Sequence, residues 1–525
     1  MPQYRTYIWL AGLLVFASLP ARFAGMNDSI WMDEAWVANS VLEPSAHDVF
    51  FTGTWTQSSP PLFLLLERWV VGFLGHSEAA LRVLPVAAGL AGLLLVALAF
   101  SRWLSTPAAL LSLTLLCGNY YLIKYCQQVK QYGTDFLVSA VLLLLVGRCI
   151  EGPSRRHLVA LLAAGTIGFF LSYTAAFWLI SLVISASLSR SPKAFRPQGL
   201  SRFQWPRMAG AGCVLGSALA LVYVVFVRPN RTVALIRNFQ SDNLDLHHPL
   251  SALQQLISAI GILLAPRPGI FSGVVGISAA ALASFVIVWA IIGSWVGEQR
   301  GLMLALSGAL PPATAFAASI LGFYPVLDCP RMLLFALPSV ALLLGLGIDI
   351  LLALPVLRAH QTGLCITVVG ICIAMVLASQ VIFFRYPRPN EENRPAMALL
   401  KSSLDLGDLL FVQGGMYEQF KYYRIALGFR PQNIYVGNEW PCCATGDRNE
   451  ATSPFVRDFG RDLLEAASRA RGHRLWLLIA AGSVSHWSAP FRDEIQGAPR
   501  ILIGGGCKQE VRRLFGETLV ESYSC

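Results

Sequence analysis

The residues best suited to chemistry lie in Ser29-Ile-Trp-Met-Asp-Glu-Ala-Trp36, where Asp33 and Glu34 stand between Trp31 and Trp36. Carboxylates beside a bilayer lose hydration and are rare there unless something uses them. One carboxylate can take a proton from an attacking hydroxyl, worth ~10²–10⁴-fold in rate; two together can complete a cation site. Trp31 and Trp36 suit the headgroup zone, where a ring stays apolar while its N–H finds water. The plain alternative is a wet acidic loop with interfacial anchors.

Three more polar islands follow. Tyr125–Asp135 carries Gln128, Lys130 and Tyr132; Arg228–His248 ends in His247 and His248; Tyr324–Arg331 holds Asp328 and precedes Met332–Pro338. Lys130 and Arg331 could be snorkelling cations at helix ends. Asp328 could simply pair with Arg331. His247 and His248, without a third spaced ligand, give only a weak metal signal. What the plain alternatives leave unexplained is the set, with acids, cations and aromatics gathered on one side.

The elements that must position these islands are membrane helices. The chain has 525 residues, 55% apolar and 13% charged, where soluble proteins run nearer ~25% charged. Mean hydropathy is +0.57. Apolar runs of about 18 or more residues read as spans. They predict about eleven helices, near 7–24, 83–101, 106–122, 133–149, 158–172, 175–189, 208–227, 271–295, 302–321, 332–353 and 364–384. Leu62–Leu74, opened by Pro60-Pro61 and interrupted by Glu67 and Arg68, is too short to span and reads as an interfacial helix.

Arg5, Arg102, Arg148, Arg155, Arg156, the Arg190–Arg207 loop, Arg300 and Arg358 all fall on one side, which should be cytoplasmic. The net charge of +10 is explained by those short loops rather than by nucleic acid. Residues 385–525 carry 34 of the 70 charged residues and alternate short helix and strand signals. The chain therefore reads as a transmembrane domain (1–384) with a first extracytoplasmic loop at 25–82. A small extracytoplasmic α/β domain (385–525) follows.

The order of features resembles the GT-C superfamily of integral-membrane glycosyltransferases, of the glycosyltransferase family 39 type, which includes protein O-mannosyltransferases and the aminoarabinose transferase. The matching pieces are Asp33-Glu34 after the first helix, Pro60-Pro61-Leu-Phe, and His76-Ser-Glu-Ala-Ala-Leu-Arg-Val-Leu-Pro85. The Gln-Gln-Val-Lys-Gln-Tyr132 corner, Tyr324-Pro…Arg331…Leu-Pro338 and the C-terminal domain complete the order. Two departures stand out: Gln128 replaces a usual acid, and Ser58-Ser59 stand where a basic residue usually precedes the Pro-Pro segment.

The resemblance implies transfer of a sugar from a polyprenyl-phosphate donor to a hydroxyl of a lipid, glycan or protein acceptor, with inversion, at the outer face of a bacterial inner membrane. Asp33 is the expected base and Glu34 its partner in orientation or in an ion site for Mg, Mn or Ca. Lys130 and Arg331 are the expected phosphate partners. Trp31, Trp36, Tyr125, Gln128, Tyr132, Tyr324, His247 and His248 are the expected substrate contacts. The rival reading is a transporter or flippase of lipid-linked saccharides; no inverted repeat or matched pair of broken helices favours it. Cys442 and Cys443, facing an oxidising compartment with Cys507 and Cys525, predict a bridge joining that pair to the C-terminal segment.

Overall fold

The computed structural model describes residues 2–51, 59–152, 154–188, 205–228, 299–326, 330–354, 361–385, 392–437, 454–480 and 497–525, with short stretches between 251 and 292. The first half is helical: α1 (Pro2–Ala17), α2 (Leu19–Ala24), α3 (Met32–Val41), α4 (Ala46–Phe51), α5 (Pro61–Leu74), α6 (Glu78–Trp103), α7 (Thr106–Cys117), α8 (Tyr120–Cys126), α9 (Tyr132–Glu151), α10 (Arg155–Leu171), α11 (Ala175–Leu188) and α12 (Trp205–Val222). Three further helices, Gln299–Ile320, Leu337–Leu352 and Gln361–Arg385, follow among the described residues of the membrane part.

Among the described residues, six helices are long and apolar enough to cross a membrane, and α7 with α8, bent by 51°, makes a seventh. The apolar helices Ala175–Ile184 and Cys213–Val227 are shorter than a span. Among the described residues, helices lie where the apolar runs put them, and six or seven of those are long enough to be spans. The expected helix at 271–295 lies largely outside the described residues, as do the Arg190–Arg207 loop up to residue 204 and Arg358. The protein is an integral membrane protein.

Local chemistry explains the boundaries nearest the polar islands. Ser77 caps α6 by accepting from Ala80 N–H, and Glu78 follows in the positive first turn. Gly75, at φ 87°, makes the turn from α5 into that cap. α6 and α9 pack so closely that a Cβ on Gly133 would collide with the carbonyl of Pro85. Only glycine admits that approach.

α5 presents apolar side chains on both its buried and its exposed face. Phe63, Leu64 and Val71 are buried, while Leu65, Trp69, Phe73 and Leu74 are exposed. Glu67 lies on the buried face rather than the wet one, with no hydrogen-bond partner for either carboxylate oxygen. Burial pushes its pKa well above the usual carboxylate range.

The C-terminal region forms a five-stranded sheet in the order β2-β1-β3-β5-β4. The strands are β1 (Leu409–Val412), β2 (Asn433–Val436), β3 (Arg474–Ala480), β4 (Lys508–Phe515) and β5 (Thr518–Ser524). β1 runs parallel to β2 and β3, and β5 is antiparallel to β3 and β4. Side chains alternate between two buried faces. Leu409, Phe411, Leu475, Leu477 and Ile479 pack with Phe459 and Leu463 of the Pro454–Arg469 helix. Leu410, Val412, Trp476 and Leu478 pack with Met397 and Leu400 of the Asn393–Ser403 helix and Phe420 of the Tyr417–Ala426 helix.

That second face does not stop at the sheet. The same cluster takes in Ile30, Ala35, Val37 and Ala38 around α3, Phe63 of α5, Leu81 of α6 and Val129. The C-terminal region therefore shares one apolar core with the loop that carries Asp33. Cys507 bridges Cys525, which corrects the expected pairing with Cys442 and Cys443; those two lie outside the described residues.

Candidate active site

Asp33 and Glu34 occupy the first turn of α3, where negative charge complements the helix dipole. Adjacent helical residues point about 100° apart, so the two carboxylates leave the helix in different directions. Glu34 turns inward. Arg82 of α6 forks onto it, Nε to Oε1 at 3.0 Å and Nη2 to Oε2 at 2.7 Å. Val129 N–H donates to Oε1 at 2.8 Å. Arg82 also donates to the carbonyls of Gly25 at 2.9 Å, Asp28, and Ser29 at 3.2 Å. Both partners are buried, Glu34 at 1% exposure and Arg82 at 2%. The Arg82–Glu34 pair thus fastens the loop, the start of α3 and the α8–α9 corner to α6.

Asp33 faces the other way and meets Arg331, Nη1 to Oδ2 at 3.1 Å. Arg331 sits in the Pro330–Ala336 3₁₀ turn that leads into the Leu337–Leu352 helix and packs against α8 and α9. Lys130, in the corner between those helices, completes the group. Burial lowers its pKa to about 8, with Asp33 holding it up, Arg331 pressing it down and Glu34 holding it up in turn. Asp33, Glu34, Arg82, Lys130 and Arg331 sum to one positive charge, and the nearby Asp28 and Lys124 cancel. An anion carrying one negative charge is the natural complement.

A small pocket beside the group is lined by Gly25, Asp28, Trp31, Glu34, Arg82, Lys124, Gln127 and Gln128. Two buried polar atoms there, Trp31 Nε1 and Gln128 Oε1, have no hydrogen-bond partner among the described residues. A donor and an acceptor held ready in this way suit a hydroxylated ligand.

Other candidates fall elsewhere. Trp36 is buried in the core at 4% exposure, not at a headgroup surface, because α3 is packed between α5 and the Tyr417–Ala426 helix. Tyr132 is buried against Tyr125, ring centroids 5.4 Å apart. Tyr324 packs on Phe177 at 4.8 Å and donates to the carbonyl of Met332 at 2.7 Å, bracing the Arg331 turn rather than facing Asp33. His247, His248, Asp328 and Ser58 lie outside the described residues.

The expected ion site does not fit the residues as built. Glu34 spends its oxygens on Arg82 and Val129, and Asp33 is turned toward Arg331. Among the described residues, no three His, Cys, Asp or Glu side chains converge as a metal site would require. Arg82 is the residue that sequence reasoning passed over. It stood inside the His76–Pro85 match, and the signal was an arginine at the head of a long apolar run.

Residues 58–199 match the family described as "Dolichyl-phosphate-mannose-protein mannosyltransferase". No curated protein sequence matches the chain. Among solved structures, ArnT from Cupriavidus metallidurans bound to undecaprenyl phosphate is similar at a TM-score of 0.58 and 14% identity, over 97% of both chains. The apo state of the same protein gives a TM-score of 0.54 at 13% identity, again over 97% of both. The chain thus shares the fold of ArnT, and its residues 58–199 carry the pattern of that mannosyltransferase family.

Proposed function

We propose that the protein transfers a sugar from a polyprenyl-phosphate donor to a hydroxyl acceptor at the outer face of a bacterial inner membrane. The observation that carries this reading is the convergence of Asp33, Lys130 and Arg331 from three separate parts of the chain. The likeness to ArnT, solved with undecaprenyl phosphate, supports a donor of that class. The side assigned to the site rests on the basic short loops at the other end of the helices.

In the reaction, the acceptor oxygen bonds to the sugar's anomeric carbon as the bond from that carbon to the phosphate oxygen breaks. The acceptor proton passes to Asp33. The donor's phosphodiester, with one negative charge, becomes a polyprenyl phosphomonoester with more, so charge grows where Lys130 and Arg331 are aimed. Cations placed at developing charge stabilise the transition state above the ground state. Arg331 would serve twice: when it turns to the phosphate it leaves the Asp33 carboxylate able to accept a proton. Arg82 and Glu34 hold the frame and take no part in bond changes. Attack from the face opposite the phosphate gives inversion.

The test is a cell-free assay of purified protein with sugar-loaded undecaprenyl phosphate, following release of undecaprenyl phosphate and capture of sugar by added membrane acceptors. Release that depends on the protein supports the reading. Movement of intact donor across vesicle membranes with no cleavage would overturn it in favour of a flippase.

A further inference from the structure

We infer that the C-terminal region is a positioning element for Asp33: it grips the hydroxyl of Ser29 and the backbone of Ile30 and so sets where α3 begins. The inference rests on the catalytic reading of Asp33 given above. Ile30, three residues before Asp33, is held on both of its backbone polar groups. Its N–H donates to Tyr423 Oη at 2.8 Å, and its carbonyl accepts from Asn393 Nδ2 at 2.8 Å. Arg394 N–H donates to Ser29 Oγ at 3.1 Å. From the opposite side Arg82 holds the carbonyls of Asp28 and Ser29. The segment that launches α3 is thus pinned between a membrane helix and the C-terminal region.

The grip is itself anchored. Thr518 Oγ1 of β5 donates to Asn393 Oδ1 at 2.7 Å, tying the amide to the sheet. Tyr423 Oη donates to Glu78 Oε1 at 3.1 Å, and Arg394 pairs with Glu78 at 2.8 Å, tying the grip to the start of α6. Farther along α3, Asn39 Nδ2 donates to Glu418 at 2.7 Å; just beyond it, Lys421 pairs with Glu43 at 3.0 Å. Ile30, Asn393, Tyr423 and Thr518 are all fully buried. Apolar burial alone would dock the two parts. Backbone-directed hydrogen bonds fix one register, and fully satisfied buried networks give that rigidity. A displacement of about 1 Å at a catalytic group can cost ~10²-fold in rate.

Tyr423→Phe keeps the ring and removes only the hydroxyl; Thr518→Val cuts the anchor one bond further from Asp33. Each should lower kcat by about tenfold or more, with binding of undecaprenyl phosphate within twofold of wild type. Placed on Asp33→Asn, Tyr423→Phe should add no further loss, because it acts through that carboxylate. Hydrogen exchange of the peptide spanning Ser29–Trp36 should rise roughly five- to tenfold in Tyr423→Phe while the sheet's strands keep their protection. Unchanged exchange in that peptide overturns the inference whether or not the protein transfers sugar. So does unchanged kcat in both variants, or a loss that multiplies onto Asp33→Asn. A wild-type protein that cleaves no donor overturns the proposed function alone, and exchange then decides the grip.

Discussion

Replacing Arg82 with methionine should do more damage than replacing the acid it holds. The pair is dry, with Arg82 at 2% and Glu34 at 1% exposure. Removing the guanidinium leaves a buried carboxylate without its counter-ion, at a cost of ~3–5 kcal/mol. At 1.4 kcal/mol per factor of ten, that is roughly two to three and a half powers of ten in the folding equilibrium. The carbonyls of Gly25, Asp28 and Ser29 lose their donor at the same time. Glu34→Gln also takes a counter-ion from a buried charge, but should cost less, since the guanidinium keeps the carbonyls of Gly25, Asp28 and Ser29 as acceptors. The double variant Arg82→Met/Glu34→Met should regain most of the loss, because a buried pair can often be exchanged for packed apolar groups at little cost. Arg82→Lys keeps the charge but cannot fork, and should fall between. Thermal unfolding of the purified proteins in one detergent orders the series. An Arg82→Met protein as stable as wild type, or a double variant no better than the single, would refute the reasoning.

Other outcomes follow from the same geometry. The lowered pKa of Lys130, about 8 against an ordinary 10.5, means the folded protein binds fewer protons than the unfolded chain between those values. Its contribution to stability is therefore least below pH 8 and recovers as pH rises to about 10.5. Affinity for undecaprenyl phosphate should run the other way, weakening as Lys130 loses its charge above pH 8. Lys130→Arg should flatten that decline, because a guanidinium does not titrate there; a decline that persists would contradict it. Gly133→Ala should force α9 away from Pro85 and shift the Lys130 corner, reducing both stability and donor binding. Equilibrium binding and unfolding measured on the same preparation check it, and a neutral substitution would mean the helices part more easily than their contact implies.

Much of the architecture could be read in advance, for physical reasons that stop at particular residues. Apolar length gave α6, α9 and the three later long helices, because in lipid the backbone must satisfy itself within each span. The short continuous apolar runs at Leu409–Val412 and Leu475–Ile479 emerged as β1 and β3. The gathering of Asp33, Lys130 and Arg331 was foreseen from their shared side. What could not be read was direction. Asp33 and Glu34 looked like a pair, yet one turn of helix points them at different arginines, 298 and 48 residues away. Trp36 looked interfacial, but α3 is packed between α5 and the Tyr417–Ala426 helix of the C-terminal region. The disulfide depended on register: β4 and β5 pair Lys508 with Ser524, which brings Cys507 and Cys525 together and leaves neither for Cys442 or Cys443.

The central claim is that Asp33 takes the acceptor's proton while Lys130 and Arg331 hold the donor phosphate. Asp33→Asn keeps the side chain's size and removes its basicity, so it separates the two roles. The direct measurement is single-turnover sugar transfer from sugar-loaded undecaprenyl phosphate by this variant, beside equilibrium binding of undecaprenyl phosphate. The account predicts a fall of ~10²-fold or more in the transfer step with binding little changed, while Arg331→Ala loses both. An Asp33→Asn protein that folds, binds and transfers at the wild-type rate would contradict it.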